Sequence, residues 1–332
     1  MRKRRPSDEQ RAEASKFFSE VWGDVVPSFS DVAIKHIIGR RTRVPRLLHF
    51  TNMEGLAGIL SHKMLRLTRA RASNDSGELM YGLSIARQCL DQVAGKNEWD
   101  QRFKEGVLEC WEGKLNQKDQ RLPDPHIFCM SVASTRNERS IPHWGMYGAQ
   151  GAGAALVFDG SRLKRRKNID VVKVIYDVPT QKAVLTRILQ KGRSMCVEAR
   201  RKVSVTGSTP ATAIYEIFAH LAGTYTSIAA AAIKHPDFRF EDEWRLVVHD
   251  MPIDLADEER SKLLKFSAHA KGNIVTSSYL LPIESRDLKG VIVGPSGAEF
   301  NEPVVRMLLR DQKLEKSTEV RIATTALRAR PQ

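Results

Sequence analysis

Lys234-His-Pro-Asp-Phe-Arg-Phe-Glu-Asp-Glu-Trp-Arg-Leu-Val-Val-His249 is the stretch on which the fold turns. Val247 and Val248 follow an aromatic and a leucine, and branched and aromatic residues suit a pleated, half-buried surface, so a strand is expected over 244–249. Side chains alternate across a strand. Continued upstream, that alternation sets Glu241, Glu243 and Arg245 on one face and Asp242, Trp244 and Leu246 on the other. Two carboxylates and a guanidinium in one row admit two readings. Arg245 neutralises Glu243 as a structural pair, or it holds a carboxylate that is presented to a ligand.

Outward from this strand, helices and strands follow in irregular order. Upstream, a capping-box pattern at Ser7 and Gln10 predicts a helix to Trp22, and a short apolar run predicts a strand over 46–50. Thr51 and Glu54 form a second capping box before a helix with Leu56, Ile59 and Leu60 on its buried face. Further strands are expected over 64–68, 127–133, 154–158, 171–176, 290–293 and 320–324. Helices are expected over 78–93, 98–115, 180–202, 210–234 and 302–311, and a basic turn over 162–167. This is not the regular strand–helix alternation of a doubly wound sheet, and neither a repeat nor a Pro/Ser-rich linker interrupts it. The expected class is α+β: an N-terminal helical extension over 1–45, a main domain over 46–325 with a helical insertion near 178–235, and a tail over 326–332.

The chain has 332 residues, 42% hydrophobic and 28% charged, enough apolar matter for a sizeable core. Lysine and arginine outnumber the acids 53 to 39, a formal +14, which favours anionic partners such as nucleic acid. Cys89, Cys110, Cys129 and Cys196 have no metal-ligand spacing and read as reduced thiols, hence a cytoplasmic location. The basic start of the chain is followed by no apolar signal core. The longest apolar stretch, 211–233, carries Glu216 and His220 and reads as a core helix rather than a membrane span.

Other candidates lie at element ends and in glycine-rich turns. His49 closes a strand just before a helix begins, where a side chain can reach a ligand. In the loop 72–77, Asn74 and Asp75 suit a turn or a ribose contact. The run 140–153 sets His143, Trp144 and Tyr147 among glycines. Trp144 and Tyr147 are three apart, so on a helical turn they share a face that can flank a planar ring. Gly151 and Gly153 follow no strand, so no dinucleotide fingerprint is read there, and 291–297 lacks the lysine of a phosphate-binding loop. A metal-assisted hydrolase built on His49, His143 and Glu243 is a third option without tight ligand spacing.

The segments Leu48-His-Phe-Thr51, Ser73-Asn-Asp75, Phe128-Cys-Met-Ser131, Trp144-Gly-Met-Tyr-Gly148, Ala155-Leu-Val-Phe-Asp159, Phe240-Glu-Asp-Glu-Trp-Arg245 and Ile292-Val-Gly-Pro295, in this order, resemble a bacterial family known as domain of unknown function 2971. That family in turn resembles the ADP-ribosyltransferase-like superfamily. The resemblance implies split antiparallel or mixed sheets with flanking helices, and an NAD pocket in which NAD is the substrate. It puts His49 in the place of a ribose-holding histidine, with Thr51 beside it. Trp144 or Tyr147 takes the aromatic place against nicotinamide; beside the resemblance, the residues themselves add Asn74 as a ribose contact and Arg245 as the holder of Glu243. Glu243 becomes the catalytic glutamate with Glu241 two before it, and on chemical grounds beside the resemblance Glu241 is the group to accept a proton from the acceptor. The acceptor would be nucleic acid or protein, and the setting bacterial conflict or phage defence. The rival expectation is a non-catalytic nucleotide- or nucleic-acid-binding module of the same fold.

Overall fold

A computed structural model describes residues 43–70, 76–112, 126–166, 169–206, 211–250, 265–271 and 274–325. Its strands are β1 (Arg46–Thr51), β2 (Met64–Arg69), β3 (His126–Ser134), β4 (Ala154–Asp159), β5 (Asp170–Lys173), β6 (Glu243–Asp250), β7 (Lys265–Lys271), β8 (Ile274–Pro282), β9 (Leu288–Val293) and β10 (Glu319–Ile322). Its helices are α1 (Met53–His62), α2 (Ser76–Val93), α3 (Glu98–Glu112), α4 (Ile141–Met146), α5 (Gly160–Lys164), α6 (Val178–Thr206), α7 (Ala211–Ala230) and α8 (Ala298–Asp311). The mixed α+β class therefore holds.

The strands form one ten-stranded sheet, antiparallel except where β9 meets β10. Its centre is β3. One edge of β3 pairs along its length with β6, from His126 opposite Asp250 to Ala133 opposite Glu243. The other edge is shared. There β2 pairs at Phe128 and Cys129, and β1 pairs at Ala133 and Ser134. Between those two partners the edge at residues 130–132 meets neither strand, and the sheet opens into a seam.

Two apolar layers cover the sheet. On one face α1 and α8 pack over Leu47, Met130, Leu156, Trp244 and Leu246. On the opposite face α2, α3, α6 and α7 form a four-helix layer around Leu90, Phe103, Leu189 and Tyr215. Beside that layer α4 buries Trp144 against Leu48, Phe50 and Ala155. The stretch 178–235 thus belongs to a helical layer shared with α2 and α3. Each fully buried leucine or phenylalanine here contributes about 1.5–3 kcal/mol relative to exposure. The four cysteines are free thiols, three of them buried. Among the described residues no helix is long and apolar enough to cross a membrane.

Local expectations are corrected at several points. The cap of α1 is Asn52, whose side chain accepts from the Gly55 amide at 2.7 Å, rather than Thr51. Thr51 is still paired in the sheet, opposite Ala154, so it cannot also turn the chain. Glu241 ends a 3-10 turn, Pro236–Glu241, and Asp242 stands at φ 41° in the left-handed region, so β6 begins only at Glu243. The basic run from Arg162 falls partly in α5, capped by Asp159 through the Arg162 amide at 3.1 Å. Helix α8 starts at Ala298, ahead of the start expected at Glu302, and carries Pro303 inside it. The hairpin β7–β8 was not anticipated. The helix expected over residues 7–22 lies outside the described residues, as do residues 72–75 of the loop expected over 72–77, whereas Ser76 and Gly77 already belong to α2.

Candidate functional site

On the α4 side of the seam lies a cavity of about 460 Å³, lined among others by His49, Glu78, Ser131, Tyr147, Glu241 and Glu243. Six elements supply these groups: β1, α2, β3, the end of α4, the 3-10 turn Pro236–Glu241 and β6. Alternation on β6 turns Glu243 and Arg245 toward the helical layer and Trp244 and Leu246 toward α1. The left-handed turn at Asp242 lets Glu241 point the same way although it is not on the strand.

The ionic core holds three carboxylates and two cations. Lys234 lies only 6% exposed just after α7, and its ammonium reaches Glu78 and Glu241 at 2.5 Å each and Glu243 at 3.2 Å. Arg245 donates through Nε to Glu243 at 2.8 Å, through Nη1 to the Ala231 carbonyl at 2.5 Å, and through Nη2 to Glu78. Ser131 Oγ donates to Glu243 at 2.6 Å. With all five groups ionised, the cluster as a whole carries a formal surplus of one negative charge. In a poorly hydrated site such a surplus favours a cation, or positive charge that develops during a reaction.

The environments separate the carboxylates. Burial works against an ionised Glu243, yet Arg245, then Lys234 and Ser131, more than offset it and hold its carboxyl down at about 2. For Glu78 burial dominates over Arg245 and Lys234, and its carboxyl is raised. Lys234 is held protonated: burial opposes its charge, but the surrounding glutamates prevail and raise it. Tyr147 donates its hydroxyl to Glu241 Oε1 at 2.9 Å, and burial together with Glu241 raises its phenol.

Two histidines are neutral, with defined tautomers. Burial lowers His143, whose Nε2–H donates to the Glu241 carbonyl at 3.0 Å while Nδ1 accepts from Ser140 at 2.8 Å. Both ring nitrogens are thus engaged, Nε2 with Glu241 and Nδ1 with Ser140. His49 is also lowered by burial, and its Nδ1–H donates to the Ser131 carbonyl at 3.3 Å. That leaves His49 Nε2 as an acceptor. His49 lines the cavity and also a groove of about 780 Å³ under α1, where Arg66 and Gly58 lie.

Of the residues expected at a site, His49, Tyr147, Glu241 and Glu243 line this cavity, and Arg245, Thr51 and Trp144 do not. Arg245 sits behind Glu243, 5% exposed. Trp144 is fully buried, edge-on to Phe50 at 5.1 Å, and donates from Nε1 to the Glu138 carbonyl at 2.7 Å. It cannot meet a ligand, and Tyr147, 41% exposed, is the aromatic that can. Asn74 falls outside the described residues. Among the described residues no three His, Cys, Asp or Glu side chains are grouped to hold a metal ion.

Sequence reasoning missed Glu78, Ser131 and Lys234. Lys234 carried a signal: it directly follows the apolar run 228–233, which pulls its stem into the core. Glu78 carried none, because a glutamate in the first turn of a helix is ordinary on dipole grounds alone.

Comparison with known proteins gives one family: residues 143–246 match the model described as Protein of unknown function (DUF2971). The matched span runs from His143 through Tyr147, Lys234, Glu241 and Glu243 to Leu246, and leaves out His49 and Glu78. No curated protein and no solved structure matches the chain.

Proposed function

We propose that this chain is an NAD-dependent ADP-ribosyltransferase of the ADP-ribosyltransferase-like superfamily. The observation that carries the reading is the meeting of His49, Tyr147, Glu241 and Glu243 in one cavity beside the seam of the sheet. NAD brings a cationic nicotinamide, and breaking its bond to ribose builds positive charge on the sugar. A fixed anion stabilises both, and hydrogen bonds to the sugar hydroxyls tighten in the transition state. Glu243, held ionised by Arg245 and Lys234, supplies that anion, with a ribose hydroxyl donating to it in place of Ser131. Glu241 adds a second negative charge beside it.

The rim of the cavity fits the rest of the ligand. Tyr147 and Phe238 are exposed aromatics at its mouth, suited to the face of a pyridinium ring. His49 Nε2 accepts from a ribose hydroxyl. The groove under α1 continues past His49 to Arg66, a cation for the pyrophosphate. Arg245 is a positioning residue. The basic surplus favours a nucleic-acid acceptor over a protein one. The resemblance implies a role in bacterial conflict or phage defence, and the free cysteines favour a cytoplasmic setting for it.

The test is release of nicotinamide from NAD by the purified chain. Glu243→Gln is expected to lower the rate by about 100-fold or more, the usual cost of removing a charge-stabilising group. One observation favours a second reading, a nucleotide-binding module without chemistry: all acceptor positions of Glu243 are filled by Ser131, Lys234 and Arg245. Wild type and Glu243→Gln releasing nicotinamide alike at background, while NAD still binds, would establish that module instead.

A further inference from the structure

Transfer to any acceptor with an O–H or N–H leaves a proton to be removed, and the cavity offers three carboxylates for it. Bonding sets Glu243 apart, and exposure separates Glu78 from Glu241. A carboxylate has about four acceptor positions. On Glu243 all are used: Ser131 and Arg245 Nε bond Oε1, and Lys234 and Arg245 Nη2 bond Oε2. Glu241 is held from behind as well as in front, its carbonyl by His143 and Asn137 and its carboxylate by Tyr147 and Lys234. Among the described residues Glu78 receives one bond on each oxygen, from Lys234 and from Arg245. Its side chain is 17% exposed, against 5% for Glu241 and for Glu243. It also enters from α2, an element separate from those that bring His49 and Tyr147.

We propose that Glu78 is a further catalytic residue, the base that takes the acceptor's proton. This rests on the transferase reading and deepens it. The C1′–N bond breaks and its electron pair leaves with nicotinamide. The lone pair of the acceptor forms the new bond to C1′, and the acceptor's proton passes to Glu78, which becomes a neutral acid. Glu243 stays ionised throughout and faces the sugar. Burial that raises Glu78 and ion pairing that lowers Glu243 suit the two tasks, because a proton acceptor works best near the ambient pH.

The experiment compares nicotinamide release with water as acceptor and with added sodium azide, an anionic nucleophile that has no proton to lose. Glu78→Gln is expected to lower the rate with water by about 100-fold, within the usual range for a general base. Azide should restore it to within a few-fold of wild type, and the product should be the azido-sugar. Glu243→Gln should not be restored by azide, because it lacks the anion rather than the base. Glu78→Gln equal to wild type with water would overturn the assignment while the transferase reading stands. So would a folded Glu78→Gln protein that azide does not restore, with folding checked by its thermal melt. A wild-type protein that releases no nicotinamide overturns both.

Discussion

Glu243 and Glu78 share the same two cations, yet they are pushed in opposite directions. Burial is severe for Glu243, but four donors meet it; Glu78 has two. The lowered Glu243 makes a stability prediction. A carboxyl that titrates lower in the folded than in the unfolded chain stabilises the fold above its unfolded value. That contribution is lost as the pH falls toward the folded one. For Glu243 the window runs from 4.5 down to about 2. Its full size is on the order of 3 kcal/mol. Thermal melts of wild type and Glu243→Gln should therefore converge as the pH drops through that window, and a constant gap would contradict the ion-paired Glu243. At this scale the sequence was informative wherever alternation applied. Glu243 and Arg245 share a face because a strand permits nothing else. It left Trp144 and Tyr147 undecided, since spacing along a helical turn puts two aromatics together without saying which one the core takes.

Elements were legible where apolar periodicity was strong and blurred where caps and turns decide. The strands around 126–134 and 243–250 are rich in branched and aromatic residues, and their ranges differ little from expectation. The hairpin β7–β8 escaped because Lys-Phe-Ser-Ala-His-Ala-Lys has little strand character of its own and is held by its pairing with β8. The start of α1 is a cap question, and the structure assigns it to Asn52. Asn52→Ala should cost about 1 kcal/mol of stability. Glu54→Ala, if the capping box is absent, should cost only a few tenths. Urea midpoints of the two variants decide between them, and the reverse order would restore the Thr51 box.

At the scale of the whole molecule the site depends on the helical layer meeting the seam. Gly82 of α2 lies against the end of α7: a Cβ there would stand 2.6 Å from the Ala230 carbonyl oxygen. Backbone cannot yield as a flexible side chain can, so Gly82→Ala must part the two helices. Overpacking of this kind costs about 1–3 kcal/mol. Because α2 carries Glu78 and α7 leads to Lys234, the variant should also slow nicotinamide release on the proposed reading. An unchanged urea midpoint would show that the helices are not in register as described. By itself the sequence determined the α+β class, most strand and helix cores, and the row that joins Glu243 to Arg245, because each of these follows from local periodicity and alternation. Only the tertiary structure decided that β1 and β2 divide one edge of β3, that Lys234 and Glu78 close on that row, and that Trp144 is buried while Tyr147 faces outward. Those outcomes depend on which distant segments pair and on which charges the core can satisfy, and no local pattern records either.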